Sequence, residues 1–469
     1  MALYLSQHYL ECLSHASYLV GDTTSGVAAV VDPQRDIAIY LEDARQQGLT
    51  IKYVIETHFH ADFLSGHLEL AEACGAEIIF GQSASGRTAF PIVAKSNGDK
   101  IVLSDHPDDE NAVVLEFLET PGHTPESISV VVRENGSAQP HAVFTGDTLF
   151  IGDVGRPDLL AAVGHNAQDL ARMLYRSLHE KLLALPDATL VYPAHGAGSA
   201  CGKNLSTNTV SSIGEQRTTN YALAPMTEEQ FVEVVTEGQA TAPMYFLFAA
   251  TSNQQEHQTF REDKPLPKLT LPEVVAAQAN GAVVLDTRDD AAFALGHLRH
   301  SINVGLGGRF AEYTGEVVAP RTPIVIVAEP DKEREATTRL ARIGFDTVIG
   351  YLDDIVQTSI NNPASVEVGS RLTVAEFEQR RTNLSSLQLV DVRNPGEFKL
   401  GSITGAAHIE LASLTRRLGE LDPTKPVVVF CAGGYRSSIA ASTLRAHGFV
   451  DVSDILGGYN AWIAATSGR

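Results

Sequence analysis

Residues 56–67 read ETHFHADFLSGH. Two histidines, His58 and His60, alternate just past the apolar run IKYVIET, and Asp62 continues the series into the following loop. Alternate side chains of a strand point to one face, so the pair leaves the strand edge together. Downstream, ETPGHTPES puts His123 in a turn after a strand, VFTGDTLF puts Asp147 after another, and VYPAHGAG puts His195 after a third. One such histidine is ordinarily a packed or solvated side chain. An ordered set delivered by four strand-end loops is the arrangement a metal ion requires. Phe63 is the anomaly, because its ring cannot ligate a cation.

The chain around this stretch has 469 residues, which predicts two to four domains. With 44% hydrophobic and 20% charged residues it has the composition of a globular protein with sizeable cores. A net charge of −22 repels phosphate backbones and anionic headgroups, so neither nucleic acid nor a membrane surface is an expected partner. No apolar run approaches the roughly 20 residues of a membrane span, and the first residues lack a basic start followed by an apolar stretch. A cytoplasmic protein is expected, and a homo-oligomer. Cys12, Cys74, Cys201 and Cys431 are too few and too scattered for a disulfide framework.

Short β-rich runs alternate with helical stretches over the first half, which reads as α/β. In MTEEQFVEVVTEG, Thr227 is a capping residue with acids in the first turn behind it. A first domain is drawn over residues 1–245, and a polar, proline-bearing linker over 246–267. The chain then repeats itself. VVLDTRDDAAFALGHLRHSINV (283–304) aligns with QLVDVRNPGEFKLGSITGAAHI (388–409), with Asp286 and Asp391 105 residues apart. PIVIVA (323–328) likewise matches PVVVFC (426–431). Two copies of one open parallel α/β domain follow, over 268–365 and 366–469.

The motifs His-x-His-x-Asp, Gly-His-Thr, Gly-Asp and Pro-Ala-His stand in the order of the metallo-β-lactamase superfold, which the first half resembles. The resemblance implies an αββα sandwich. In the family's hydrolases a second metal is held by the motif aspartate, the histidine after it and the late histidine; here those positions are Asp62, Phe63 and His195. Phe63 leaves that set poor for Zn(II) and favours a single metal. The pattern is similar to the persulfide dioxygenase branch, which implies one Fe(II) per chain on His58, His123 and Asp147, the set of non-haem oxygenases. His60, Asp62 and His195 then orient ligands and bound water. Arg156, in an Arg-x-Asp beside the expected mouth, offers a fork for a carboxylate of a thiol such as glutathione. Tyr192 is a further substrate contact, and Cys201, with Lys203 available to lower its pKa, a candidate relay.

In KPVVVFCAGGYRSSIAAS an apolar strand ends at Cys431, followed by a glycine-bearing loop and a helix. Loop amides at a helix N-terminus favour an anion, so Cys431 is a candidate nucleophile, with Arg436 adding charge and Gly433, Gly434, Tyr435 and Ser437 completing the cradle. With Asp391-Val392-Arg393, Glu397-Phe398, Cys-x-x-Gly-x-Arg and GGYNAW, the last copy resembles the rhodanese domain. The earlier copy has Ala328 at the cysteine position and an acidic AEPDKERE loop, so it cannot carry sulfur.

The resemblances together imply the persulfide dioxygenase–rhodanese fusions of sulfide detoxification. O2 and a low-molecular-weight thiol persulfide are the expected substrates, and sulfite and thiosulfate the expected sulfur species. The alternative is a zinc thioesterase like hydroxyacylglutathione hydrolase, holding Zn(II) and using its rhodanese units to bind a sulfur carrier.

Overall fold

The computed structural model describes residues 2–106, 109, 111–134, 137 and 139–466. Residue 1 of the first domain drawn above and residues 467–469 of the last lie outside the described residues. The chain forms two compact units, one of residues 1–239 with 246–261, the other of 240–245 with 262–469.

The first unit is built on two six-stranded sheets. One holds, in spatial and chain order, β1 (Leu3–Leu10), β2 (His15–Asp22), β3 (Val27–Val31), β4 (Thr50–Ile55), β5 (Glu77–Gly81) and β6 (Val93–Lys95). The other holds β7 (Lys100–Val102), β8 (Val114–Glu119), β9 (Ile128–Arg133), β10 (Pro140–Gly146), β11 (Leu190–Pro193) and β12 (Ser211–Ser212). The period of two sorts their side chains. Tyr18, Val20, Ala29 and Val31 meet Phe117, Val130 and Phe144 in a buried layer between the sheets. Leu19, Ala28 and Val30 instead face α1 (Ala38–Gln47) and α2 (His67–Cys74), packing with Tyr40, Ala44 and Leu70. Val131, Val143 and Val191 face α3 (Ala167–Arg176) and a later helix, Glu228–Thr236. That gives the four layers of an αββα sandwich. The later helix starts at Thr227, whose side chain caps it in a reciprocal box with Gln230.

The structure differs from the sequence reading at the linker. Phe246–Ser252 is helical and buries Phe246, Ala249 and Ala250, an i, i+3, i+4 stripe hidden in a polar composition. This segment packs with the first unit up to residue 261.

In the second unit, β13 (Lys268–Leu269), β14 (Val283–Asp286), β16 (Ile302–Asn303), β17 (Ile324–Val327) and β18 (Val348–Leu352) form a sheet in the order β13-β18-β17-β14-β16, with β15 (His297–Leu298) apart from it. β19 (Val366–Glu367) pairs with β15, and β20 (Ser370–Leu372), β21 (Gln388–Asp391), β22 (Ala407–His408), β23 (Val427–Phe430) and β24 (Val452–Ile455) repeat the same order as β20-β24-β23-β21-β22. All pairs in both five-stranded sheets are parallel. Asp286 pairs with Val327 and Asp391 with Phe430, so Ala328 and Cys431 occupy equivalent strand ends.

Candidate metal centre and sulfur-transfer loop

His58 follows β4, His123 lies in the β8–β9 loop, Asp147 follows β10 and His195 follows β11. Because β10 and β11 are parallel while β9 runs antiparallel to β10, those last three loops emerge at one end of their sheet. Each of these four side chains is buried to 1% exposure.

The far nitrogen of each imidazole is fixed by a backbone or hydroxyl partner. His123 Nδ1 donates to the carbonyl of Arg156 at 2.9 Å, and His195 Nδ1 to that of Ser14 at 3.2 Å. The Thr57 hydroxyl donates to Asp32 Oδ2 at 2.9 Å, which leaves its oxygen to accept from His58 Nδ1 at 3.0 Å. All three Nε2 atoms therefore carry lone pairs. Asp147 Oδ2 lies 3.4 Å from His123 Nε2 and 3.9 Å from His58 Nε2, while its Oδ1 lies 3.5 Å from His195 Nε2. His58 Nε2, His195 Nε2 and both Asp147 oxygens are buried and take no hydrogen bond from nitrogen or oxygen. Converging acceptors left without donors are costly unless a cation satisfies them, so the site fits a metal. Ligand atoms of His58, His123 and Asp147 lie within 4.8 Å of one another, as do those of His60, Asp62 and His195.

Electrostatics agree with a metal site. Burial, with the neighbouring imidazoles, holds His58 well below the ordinary histidine range, and burial brings His123 down to about 4 and lowers His195. Burial pushes the carboxyls of Asp62 and Asp147 up to about 6. His60 is the exception: burial opposes its charge, but Asp32 and Glu56 outweigh it and raise the ring well above the usual range. Its Nε2 lies 3.0 Å from Asp32 Oδ1 and 3.4 Å from Glu56 Oε2. Gly155 matters here for space alone, since a Cβ would sit 1.9 Å from the Asp147 carbonyl oxygen and 3.0 Å from His123 Nδ1.

Three substrate-contact expectations are corrected. Arg156 gives both arms of its fork to Asp158, at 2.7 and 2.6 Å, and Nη1 to the carbonyl of Ala200, so the guanidinium is a structural clamp. Tyr192 points into the layer between the sheets, beside Tyr18 and Phe144, because the period of β11 turns it away from the loops. Cys201 does stand at the cluster, with Asp147 and His195, but burial first and then Asp62 and Asp147 push its thiol well above the ordinary range. Lys203 gives its ammonium to the carbonyls of Val234 and Glu237 rather than to the thiol. Sequence reasoning missed Asp32, Glu56 and Thr57, and also His15, whose ring centre lies 5.7 Å from that of His195. Asp32 ends a strand as Asp147 does, a signal that could have found it.

In the second unit Cys431 is 2% exposed at the end of β23. The Gly434 amide donates to its Sγ at 3.1 Å, and the thiol donates to Ser437 Oγ at 3.5 Å. Gly434 caps the helix Tyr435–Ala446 with φ +115°, and Gly433 has open space around it. Gly458 closes the loop from behind: a Cβ there would meet the Cys431 carbonyl oxygen at 2.3 Å, at φ +59°. Two expectations change. Arg436 is not an uncommitted charge, since Nη1 and Nη2 pair with Glu397 at 2.7 and 2.8 Å, and that carboxylate outweighs burial in raising it. Tyr435 turns to the preceding copy, donating to the carbonyls of Gly305 and Gly307 at 2.7 and 3.1 Å, so it braces the repeats. In the earlier copy Asp331, three residues beyond Ala328 as Gly434 is beyond Cys431, also has a positive φ, +65°.

The family profile "Metallo-beta-lactamase superfamily" matches residues 10–195, and "Rhodanese-like domain" matches 270–355 and 373–465. Persulfide dioxygenase ETHE1, mitochondrial, of Bos taurus is 31% identical over 245 residues, 51% of this chain and 83% of that one. Hydroxyacylglutathione hydrolase of Polaromonas sp. is 36% identical over 179 residues, 38% and 61% of the two chains. A crystal structure of a metallo-beta-lactamase from Staphylococcus aureus subsp. aureus COL is 30% identical with a TM-score of 0.67, covering 75% of this chain and 99% of that one. The chain belongs to the metallo-beta-lactamase superfamily. Its first half is homologous to ETHE1, and two rhodanese-like domains follow in a fusion architecture.

Proposed function

We propose that the first unit is a persulfide dioxygenase using one Fe(II), and that Cys431 of the last domain transfers sulfane sulfur. The observation that carries the reading is the convergence of two neutral imidazoles and one carboxylate, His58, His123 and Asp147, beside a residue, Phe63, that cannot complete a second metal set. Bound by these three residues, iron(II) supplies the redox chemistry by which O2 oxidises the outer sulfur of a persulfide. The reaction balances as RSSH + O2 + H2O giving RSH, sulfite and two protons. The residues around the centre have separate tasks: the Arg156 carbonyl and Thr57 fix the ring orientations of His123 and His58, and His60, held between Asp32 and Glu56, keeps a proton near the site.

In the second unit, attack by the Cys431 thiolate on the outer sulfur of RSSH breaks the S–S bond, releases RSH and leaves a protein persulfide. Attack by sulfite on that outer sulfur forms thiosulfate and restores the thiolate. The Gly434 amide stabilises charge on sulfur at both stages.

A second reading, a dinuclear zinc thioesterase, draws on the likeness to hydroxyacylglutathione hydrolase and on the His60, Asp62 and His195 set. O2 uptake by Fe(II)-loaded protein given glutathione persulfide, with sulfite and thiosulfate assayed in wild type and Cys431→Ser, separates the two. Uptake that survives the substitution while thiosulfate is lost is the expected result. No uptake, but thioester hydrolysis by zinc-loaded protein, would overturn the dioxygenase reading.

A further inference from the structure

We infer that Asn253 is a positioning residue of the metal centre, the side chain that fixes the turn carrying Asp62. It is 1% exposed and uses its whole carboxamide on that turn. Nδ2 donates to the carbonyls of His60 at 2.8 Å and Phe63 at 2.9 Å, and Oδ1 accepts from the Ser65 amide at 2.9 Å. The three partners bracket Asp62, whose Oδ2 lies 3.3 Å from His195 Nε2. Residues 60–65 form neither helix nor strand, so their buried backbone groups depend on partners from outside. Asparagine alone supplies two donors and an acceptor on a stem this short; aspartate lacks the donors and alanine lacks everything.

The latch is itself anchored on both sides. The Asn253 amide donates to the carbonyl of Ala249 in the last turn of the helix Phe246–Ser252. After it, the Gln254 carbonyl accepts from Ala89, the Phe260 amide donates to Glu69 Oε1, and Arg35, 1% exposed, donates to the carbonyl of Gln258. The stretch that composition marks as a linker thus packs on the turn that carries Asp62, and its one fully buried carboxamide acts on the metal centre by placing the His60 backbone and Asp62, beside His195 Nε2.

The inference rests on the reading of the His58 cluster as a metal centre. Its test is metal occupancy of the full chain after purification, by elemental analysis, with resistance to a chelator, in wild type, Asn253→Ala and the near-isosteric Asn253→Asp. Melting temperature and circular dichroism report folding. Asn303→Ala, which removes a buried asparagine with two backbone bonds in the second unit, controls for general destabilisation. Both Asn253 variants are expected to fold and to hold metal about 10–100-fold more weakly, as loss of a ligand-orienting partner does, while Asn303→Ala binds as wild type. Folded Asn253 variants with wild-type occupancy and chelator resistance would overturn the inference. A wild-type protein that takes up no metal would instead overturn the metal-centre reading.

Discussion

The ring of Phe63 packs against the imidazole of His60, with centroids 4.3 Å apart, and also against that of His15, at 4.0 Å. An aromatic hydrocarbon thus fills the place where a nitrogen, as third ligand, would complete the set of Asp62 and His195. Phe63→His should restore that donor in nearly the same volume. The expected outcome is a rise from one bound metal to two per chain, counted by elemental analysis on protein reconstituted with Zn(II). A stoichiometry still at one would show that loop shape, rather than the missing nitrogen, limits the second site.

Proton competition sets a pH limit on metal uptake. His58, His123 and His195 are held down in pKa, so near pH 7 they are neutral and ready to ligate. Asp147 and Asp62, raised by burial to about 6, are ionised there but take up protons first as pH falls. Since proton and metal compete for the same carboxylate, affinity should be flat above about pH 7 and fall about tenfold per pH unit below 6. Titration of the metal-free protein with Fe(II) or Zn(II) between pH 4.5 and 8 checks this; a flat profile across that range would mean that Asp147 is no ligand.

Much of this was legible because strand periodicity and motif order are local signals. The αββα sandwich, the two repeats and the residues His58, His123, Asp147 and Cys431 each sit where a run of apolar residues ends. What the sequence hid is tertiary. Arg156 and Arg436 look like uncommitted cations until the fold supplies Asp158 and Glu397, the latter 39 residues away. Tyr192 looked accessible because only the sheet's pleat decides which face it takes. Asn253 acts on a turn about 190 residues earlier, a distance across which no spacing rule reaches.

Glu397 sets how much charge Arg436 offers an anion. With its fork engaged at 2.7 and 2.8 Å, Arg436 does not offer the loop around Cys431 an uncommitted guanidinium for a dianionic donor. Glu397→Gln keeps one acceptor and removes the negative charge. The KM for thiosulfate, in cyanide-dependent sulfur transfer, should fall about tenfold at low salt, with less change for a persulfide donor. Equal KM values in variant and wild type would count against this role for Glu397.

The Asp-x-Arg of each repeat is a structural device, and its removal should cost stability rather than chemistry. Asp391 and Arg393 are 0% and 4% exposed and meet through Nε–Oδ1 at 2.9 Å and Nη2–Oδ2 at 2.6 Å. Arg393 also donates to the carbonyl of Gly401 at 2.7 Å and stacks 4.0 Å from the centre of the Tyr459 ring, tying a strand end to the next turn and to the GGYNAW helix. Arg288 and Asp286 repeat the pattern, with the carbonyl of Gly296 in place of Gly401. Arg393→Ala leaves a buried carboxylate that, among the described residues, keeps Ser402 and the backbone amide of position 393 as donors, which costs roughly 3–5 kcal/mol. The chain's one tryptophan, Trp462, lies in the last domain, so urea unfolding followed by its fluorescence reads this domain directly. A loss below about 1 kcal/mol would mean that water reaches Asp391 once the arginine is gone, and that the pair aligns the strand end without stabilising it.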